Sequence, residues 1–360
     1  MLRESAKNEL KNKLKSLLLL LVLSSLTARS TLSYYGQTVV GHSRLMLARQ
    51  SIDDVIKTAE PELKNQLFLA KQLRQFAVDE LALPDNGRYS SYVNLKRDYP
   101  VWTVVAAEEF SLTPKSWCYL VIGCASYRGY FYQAKALKYA EQLRAKGLET
   151  HVGGAIAYST LGWFSDPLLP SMMRYGEADF AENMFHELAH QVLYVNGNTA
   201  FNEAFASVVG EYGALQWLRK NKPGQIEAYQ KRLSYNSDFI QLLNQTKSQL
   251  AELYATDLSV QQKRKNKTDI INQLHEKYIS LKTDKWSGQG VYDLWFETPI
   301  SNARLAAIST YRDHMPLFEQ LLKSCDNDFD RFFTLLINVT NTYSADELLQ
   351  NLPTDCELND

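Results

Sequence analysis

Two histidines, His186 and His190, stand four residues apart with a carboxylate, Glu187, beside the first, in the run Phe185-His186-Glu187-Leu188-Ala189-His190-Gln191. On a helix, positions i and i+4 share a face, so both imidazoles can reach one cation while Glu187 points toward a water on it. The chemistry this spacing suits is zinc-assisted hydrolysis, with the imidazoles as ligands and Glu187 as general base. The pattern alone is weak evidence. With 6 histidines in 360 residues, it arises by accident in on the order of one such chain in a hundred.

A catalytic zinc site ordinarily takes three protein ligands and keeps one position for water. The next suitable acid is Glu203, in Phe201-Asn202-Glu203-Ala204-Phe205-Ala206. Between the two motifs lies Val195-Asn196-Gly197-Asn198-Thr199, where a glycine can stop one helix and a polar residue can cap the next. Counting outward from a turn centred near Asn196 and Gly197 brings Glu203 level with His190 across an antiparallel hairpin. Glu211 competes for the role, but it lies roughly 12 Å further along at 1.5 Å per residue. The expected centre is one Zn2+ held by His186, His190 and Glu203, with Glu187 moving a proton from water to a leaving amine. Such a hydrolase also needs a donor for the developing oxyanion. Tyr158, Tyr175, Tyr292 and Tyr311 are candidates, and each reads better as core packing.

The elements that must position these residues follow from periodicity. From Tyr34 to about Leu83 the apolar residues recur at helical spacing, and Pro61 suits the first turn of the second of two helices. After the turn Pro84-Asp85-Asn86-Gly87, the runs Val101 to Ala107, Trp117 to Ile122 and His151 to Tyr158 read as strands. A helix over about 132–146 separates the last two. Beyond Pro170 the pattern is almost wholly helical, at about 178–195, 201–220, 225–256, 260–281, 303–311, 316–323 and 328–341. Leu250 to Lys282 alternates charge with sparse apolar residues and reads as a long exposed hairpin. The expected fold class is therefore α+β and mostly helical, with a small sheet in the middle block and a helical C-terminal half. Residues 31–360 are expected to form one domain, with the N-terminal helices and sheet in 31–170 and the zinc site in 171–360.

Composition narrows the partners. Lys+Arg total 39 against 40 Asp+Glu, with no basic block, which argues against a nucleic-acid partner. Lys7, Lys11, Lys13 and Lys15 precede the apolar run Leu17 to Leu23, and the small residues Ser24, Ser25, Thr27 and Ala28 follow. These are the parts of a secretory signal. Residues 1–30 are thus expected to be a signal peptide or a short uncleaved membrane anchor, because the run falls short of the roughly twenty apolar residues a comfortable span needs. A membrane tether through this segment stays open. The 4 cysteines agree with export. Cys118 and Cys124 are expected to bridge if the backbone turns between them, and Cys325 with Cys356 then follows only by elimination.

With these motifs placed, further segments become recognisable. Trp117-Cys118, Gly123-Cys124, Ser126-Tyr127-Arg128-Gly129-Tyr130-Phe131, Ala157-Tyr158-Ser159-Thr160-Leu161-Gly162-Trp163-Phe164-Ser165-Asp166-Pro167 and Asn302-Ala303-Arg304-Leu305 accompany the two zinc motifs. Together they resemble a bacterial family of predicted zinc aminopeptidases, from about Tyr34 to Asn341 and least between Leu250 and Lys285. The resemblance implies a zincin-like metallopeptidase of the Glu-zincin kind acting on peptides, with His186, His190 and Glu203 as ligands and Glu187 as base. Many members carry a lipoprotein-type cysteine after the apolar run. Ser24-Ser25-Leu26-Thr27-Ala28 has none, which argues against lipid anchoring.

The stretch from Gly153 through Tyr158, followed by Gly162 and Trp163, reads as an edge that could hold the substrate backbone by strand addition, with Tyr158, Gly162 and Trp163 as substrate-binding residues. An internal strand with a packed corner is an equal reading. An aminopeptidase also needs a carboxylate for the free amino group, for which Glu108, Glu109 and Asp166 are candidates. The expected location is the bacterial periplasm or the periplasmic face of the inner membrane. Two other readings remain: a zinc endopeptidase of the cell envelope, and a non-catalytic, membrane-tethered helical interaction protein with a structural metal site.

Overall fold

The computed structural model describes residues 34–119, 123–158, 165–309 and 314–356. Residues 1–30, Gly162, Trp163 and Tyr311 lie outside these. The chain divides into two units, Met1–Ala48 and Arg49–Asp360. In the first, the described residues form a helix, α1 (34–47). All that follows concerns the second.

That unit opens with β1 (Gln50–Ser51), α2 (Ile52–Thr58) and α3 (Pro61–Leu81). Three helices, not two, therefore occupy the stretch from Tyr34 to Leu83. Pro61 sits in the first turn of α3, where its missing N–H has no intrahelical partner to lose. Next, β2 (Ser91–Tyr92) pairs antiparallel with β1. The sheet comes from β3 (Val101–Ala107), β6 (Arg128–Tyr130) and β7 (Glu149–Ala155), in the order β6-β3-β7 and antiparallel throughout. The seven-residue strand β3 is central, and its second half, Val104 to Ala107, is buried. α4 (Gln133–Arg144) connects β6 to β7. The strand expected over His151 to Tyr158 begins earlier and stops at Ala155 instead.

The run from Trp117 does not continue as one strand. β4 (Trp117–Tyr119) returns as β5 (Gly123–Ala125), and Cys118 faces Cys124 in register across the hairpin. The two are disulfide-bonded, as are Cys325 and Cys356. Gly123 has φ +73°, a left-handed conformation that glycine adopts without a Cβ penalty.

The rest is helical: α5 (Glu177–Ala189), α6 (Thr199–Asn221), α7 (Ile226–Tyr254), α8 (Val260–Ser280), α9 (Asp293–Phe296), α10 (Asn302–Ser309), α11 (Met315–Ser324) and α12 (Phe329–Thr342). α6 is enclosed on most sides. Its Phe201 and Phe205 are fully buried, and both pack on Phe318 of α11; each such burial contributes roughly 1.5–3 kcal/mol. The α7–α8 hairpin is less exposed than its charge pattern implies. Leu250, Leu274 and Tyr278 are buried in a cluster with Phe239, Trp286 and Leu305. Sparse apolar residues suffice because they fall on one side, leaving the charged positions to solvent. Among the described residues no helix is long and apolar enough to cross a membrane.

Candidate metal centre

α5 carries His186 and Glu187 inside the helix and His190 at its C-cap. The helix expected to reach residue 195 ends at Ala189. The consequence for the site is small, because His190 keeps helical dihedrals (φ −59°, ψ −11°) and so stays on the face of His186. The loop to α6 is held by Asn202, which is 1% exposed. Its Oδ1 accepts from the N–H of Val195 at 2.7 Å, and its Nδ2 donates to the carbonyl of the same residue at 2.8 Å. Asn198 caps α6 by accepting from the Phe201 N–H at 2.9 Å. Phe201-Asn202-Glu203 thus supplies a core anchor, a loop clamp and an acid facing both imidazoles in successive positions.

The antiparallel register predicted from the turn is present. Glu203 Oε2 lies 3.3 Å from His186 Nε2 and 3.9 Å from His190 Nε2. The two imidazole rings stand 4.9 Å apart at 87°, and one ligand atom from each of the three residues falls within 4.8 Å of the others. Donors about 2 Å from a common ion in tetrahedral array lie roughly 3.3–3.5 Å apart, so this donor set fits a cation. Glu211 is not among them: it is buried elsewhere on α6, where its charge acts on Tyr229.

Close approach of the two helices is what allows this. A Cβ on Gly210 would lie 2.7 Å from the Glu182 carbonyl oxygen and 3.2 Å from the His186 Cβ, so the α6 backbone rests directly on the ligand turn. Gly213 is as tight against Phe185 and Leu81. Further along, Trp217 Nε1 donates to Glu177 Oε1 at 3.0 Å.

Electrostatics around the triad are strong because it is buried. Burial disfavours charge on His186, yet the adjoining Glu203 carboxylate outweighs this and raises its pKa. Burial pushes Glu203 up, but its hydrogen bond and charge contact with His186, helped by His190, bring it below the usual value. Burial lowers His190 to about 4. Glu187 is raised to about 7, chiefly by burial, with His186 and Arg88 opposing and Glu203 and Asp166 adding to the rise. A cation bound by the three donors competes with protons for them.

The pairing of two neighbours carried no signal in the sequence. Arg88 and Asp166 form a buried ion pair, with side chains 4% and 0% exposed, near enough for both charges to act on Glu187. Asp166 therefore reaches the site, but already paired. Glu109 does not: it pairs with Arg264 of α8 at 2.6 Å, and Glu108 beside it is exposed. Tyr194 stands 6.3 Å, ring to ring, from His190. Of the tyrosines named above, Tyr158 packs on Phe131 and senses the charge of Asp166. Tyr175 is half-exposed, and Tyr292 stacks on Phe239 at 3.8 Å and donates to Asn236 Oδ1 at 3.0 Å. Tyr194 was detectable as the next i+4 position after His190, although the helix ends before it.

One protein-family model, described as "Putative aminopeptidase", matches residues 33–348. The chain belongs to that family. The match takes in both ligand-bearing helices, the sheet and the Asn302-Ala303-Arg304-Leu305 segment. No curated protein and no solved structure matches the chain.

Proposed function

We propose that the protein is a zinc-dependent aminopeptidase with a zincin-like fold, in which His186, His190 and Glu203 hold one Zn2+ and Glu187 is the general base. The observation that carries this reading is the approach of Glu203 Oε2 to both imidazoles, at 3.3 and 3.9 Å, with Glu187 buried next to the first ligand. Two imidazole nitrogens and one carboxylate oxygen suit zinc and keep a position for substrate. When bound, the ion supplies Lewis acidity, polarising a carbonyl and acidifying water. Glu187 accepts the proton released as water adds to the carbonyl carbon, and its carboxyl returns it to the amine nitrogen as the C–N bond breaks.

β7 supports the substrate-edge part of the reading. It pairs with β3 on one side, and among the described residues no strand pairs with its other edge. A peptide backbone added there would gain main-chain hydrogen bonds with little side-chain preference. Ser171, ahead of α5, donates to the carbonyl of Ile156 just past the strand, tying this edge to the ligand helix. The two disulfides support export to an oxidising compartment, the bacterial periplasm or the periplasmic face of the inner membrane.

The test is metal analysis of the purified protein alongside hydrolysis of a panel of amino-acid amides, for wild type and Glu187→Gln. The reading expects one zinc per chain in both and hydrolysis only in wild type. Metal without activity in wild type would overturn it in favour of a structural metal site. Cleavage of an N-acetylated peptide at an internal bond, with no release of N-terminal residues, would replace the aminopeptidase by an endopeptidase.

A further inference from the structure

Arg304, in the first turn of α10, takes no part in the metal centre, yet it lines a cavity of about 450 Å3 together with His151 of β7, Asn236 and Phe239 of α7, Tyr292 and Trp295. That size is ordinary for a ligand pocket. Its walls are aromatic: Tyr292 stacks on Phe239 at 3.8 Å, and Trp295 meets Phe239 edge-on at 5.2 Å. Arg304 is 6% exposed, sits 4.2 Å over the Trp295 ring, and donates to the carbonyls of Thr298 at 2.7 Å, Pro299 at 3.5 Å and Trp295. No carboxylate of the described residues pairs with it; burial alone shifts its pKa, downward. Glu149, two residues before His151 on the strand, is taken up by Lys267 and by the N–H of Asn302. His151 is held neutral, its pKa lowered to about 4 by burial and then by the charge of Arg304. A buried arginine ordinarily has an anionic partner. Here backbone carbonyls and the Trp295 ring meet the guanidinium, and among the described residues no carboxylate faces it from the cavity.

We propose that this cavity takes the C-terminal residue of a short peptide, its carboxylate facing Arg304 and His151 and an apolar or aromatic side chain against Phe239, Tyr292 and Trp295. This rests on the peptidase reading and narrows it. Asn236 lies one turn of α7 past Arg232, which pairs with Glu182, itself one turn of α5 before His186. Two turns of about 6 Å and one helix contact of about 8–10 Å bound the distance from cavity wall to ligand at roughly 20 Å. An extended peptide of about six residues spans that. The substrate class is therefore oligopeptides up to about that length with a free carboxyl terminus.

The full-length, zinc-loaded protein is titrated by calorimetry with N-acetyl-phenylalanine and with its C-terminal amide. Hexapeptides ending in phenylalanine, as acid or amide, are compared in KM. The acid is expected to bind at least tenfold more tightly and to show a KM at least tenfold lower, and both preferences are expected to vanish in Arg304→Met and in Ile308→Trp. The second variant fills the cavity from α10 while leaving the guanidinium and its carbonyl partners in place, so it reads the cavity even if Arg304→Met fails to fold. Equal affinity for acid and amide in wild type overturns the proposal. So does a preference that survives in Ile308→Trp, which would put the carboxylate on the metal. Acid preference in binding without peptide hydrolysis counts against the peptidase reading and leaves the cavity as an anion site; hydrolysis without acid preference counts against the cavity alone.

Discussion

Glu187→Gln keeps the size of a buried side chain and removes its ability to carry a proton. kcat on amino-acid amides is expected to fall by about 10²–10⁴, with zinc content unchanged by metal analysis. Tyr194→Phe probes a phenol whose ring stands 6.3 Å from that of His190. If its hydroxyl donates to the developing oxyanion, kcat falls at least tenfold while KM holds, and steady-state kinetics that leave kcat unchanged dismiss the role. At this scale the sequence reading reached furthest. His186, Glu187 and His190 follow from helical spacing, and Glu203 from counting around a turn, a prediction that more than about 5 Å to both rings would have undone; the distances are 3.3 and 3.9 Å. The pairing of Arg88 with Asp166 was unreadable for a physical reason. They meet across 78 positions of chain, and nothing periodic announces such a pair.

Between elements, the spacing of α5 and α6 decides whether the three donors meet. Gly210→Ala drives a methyl group into the Glu182 carbonyl and the His186 Cβ. Overpacking of this kind costs about 1–3 kcal/mol, and because it bears on a ligand turn, zinc affinity measured by chelator competition is expected to fall along with the melting temperature. A variant that loses stability but keeps its zinc affinity would show that the helices separate elsewhere. Asn202→Ala tests the loop clamp: two hydrogen bonds to Val195 disappear from a buried position, a loss of about 1–3 kcal/mol read as a lower urea midpoint. Most helices were foreseen, but the division of residues 34–83 into three helices, the short α9, the end of α5 at Ala189 and that of β7 at Ala155 were not. Element ends fray over one or two residues and are the positions that periodicity fixes least. Glycine inside a helix at a cost of about 1 kcal/mol was the available hint that α6 touches something closely.

Across the whole molecule, stability is expected to depend on two removable constraints. Cys325 and Cys356 close a loop of sequence separation 31, and Cys118 and Cys124 one of 6. By loop-closure entropy these stabilise by roughly 3–4 and 2 kcal/mol, so reductant should lower the unfolding temperature, most of the loss tracing to the longer loop in single-bridge variants. Removing a bound cation with a chelator should lower it as well, since an ion at a thousandfold excess over its Kd contributes about 4 kcal/mol of stability. An unfolding scan indifferent to chelator would leave the triad without its ion. The α+β class and the placing of the sheet in the middle block were legible from the switch between two-residue and 3.6-residue periods. The cluster joining α7 and α8 was not, since its members are too few per helix to outweigh the surrounding charge.

The three donors all fall within residues 186–203, on two helices joined by one short loop. Closing so short a stretch has little entropic cost compared with pairing β3 to β7 across the intervening chain. The triad can therefore assemble before the sheet does. Refolding in the presence of zinc is expected to show a zinc-dependent early phase, detected by stopped-flow fluorescence, that Glu203→Ala abolishes while the later, sheet-forming phase keeps its rate.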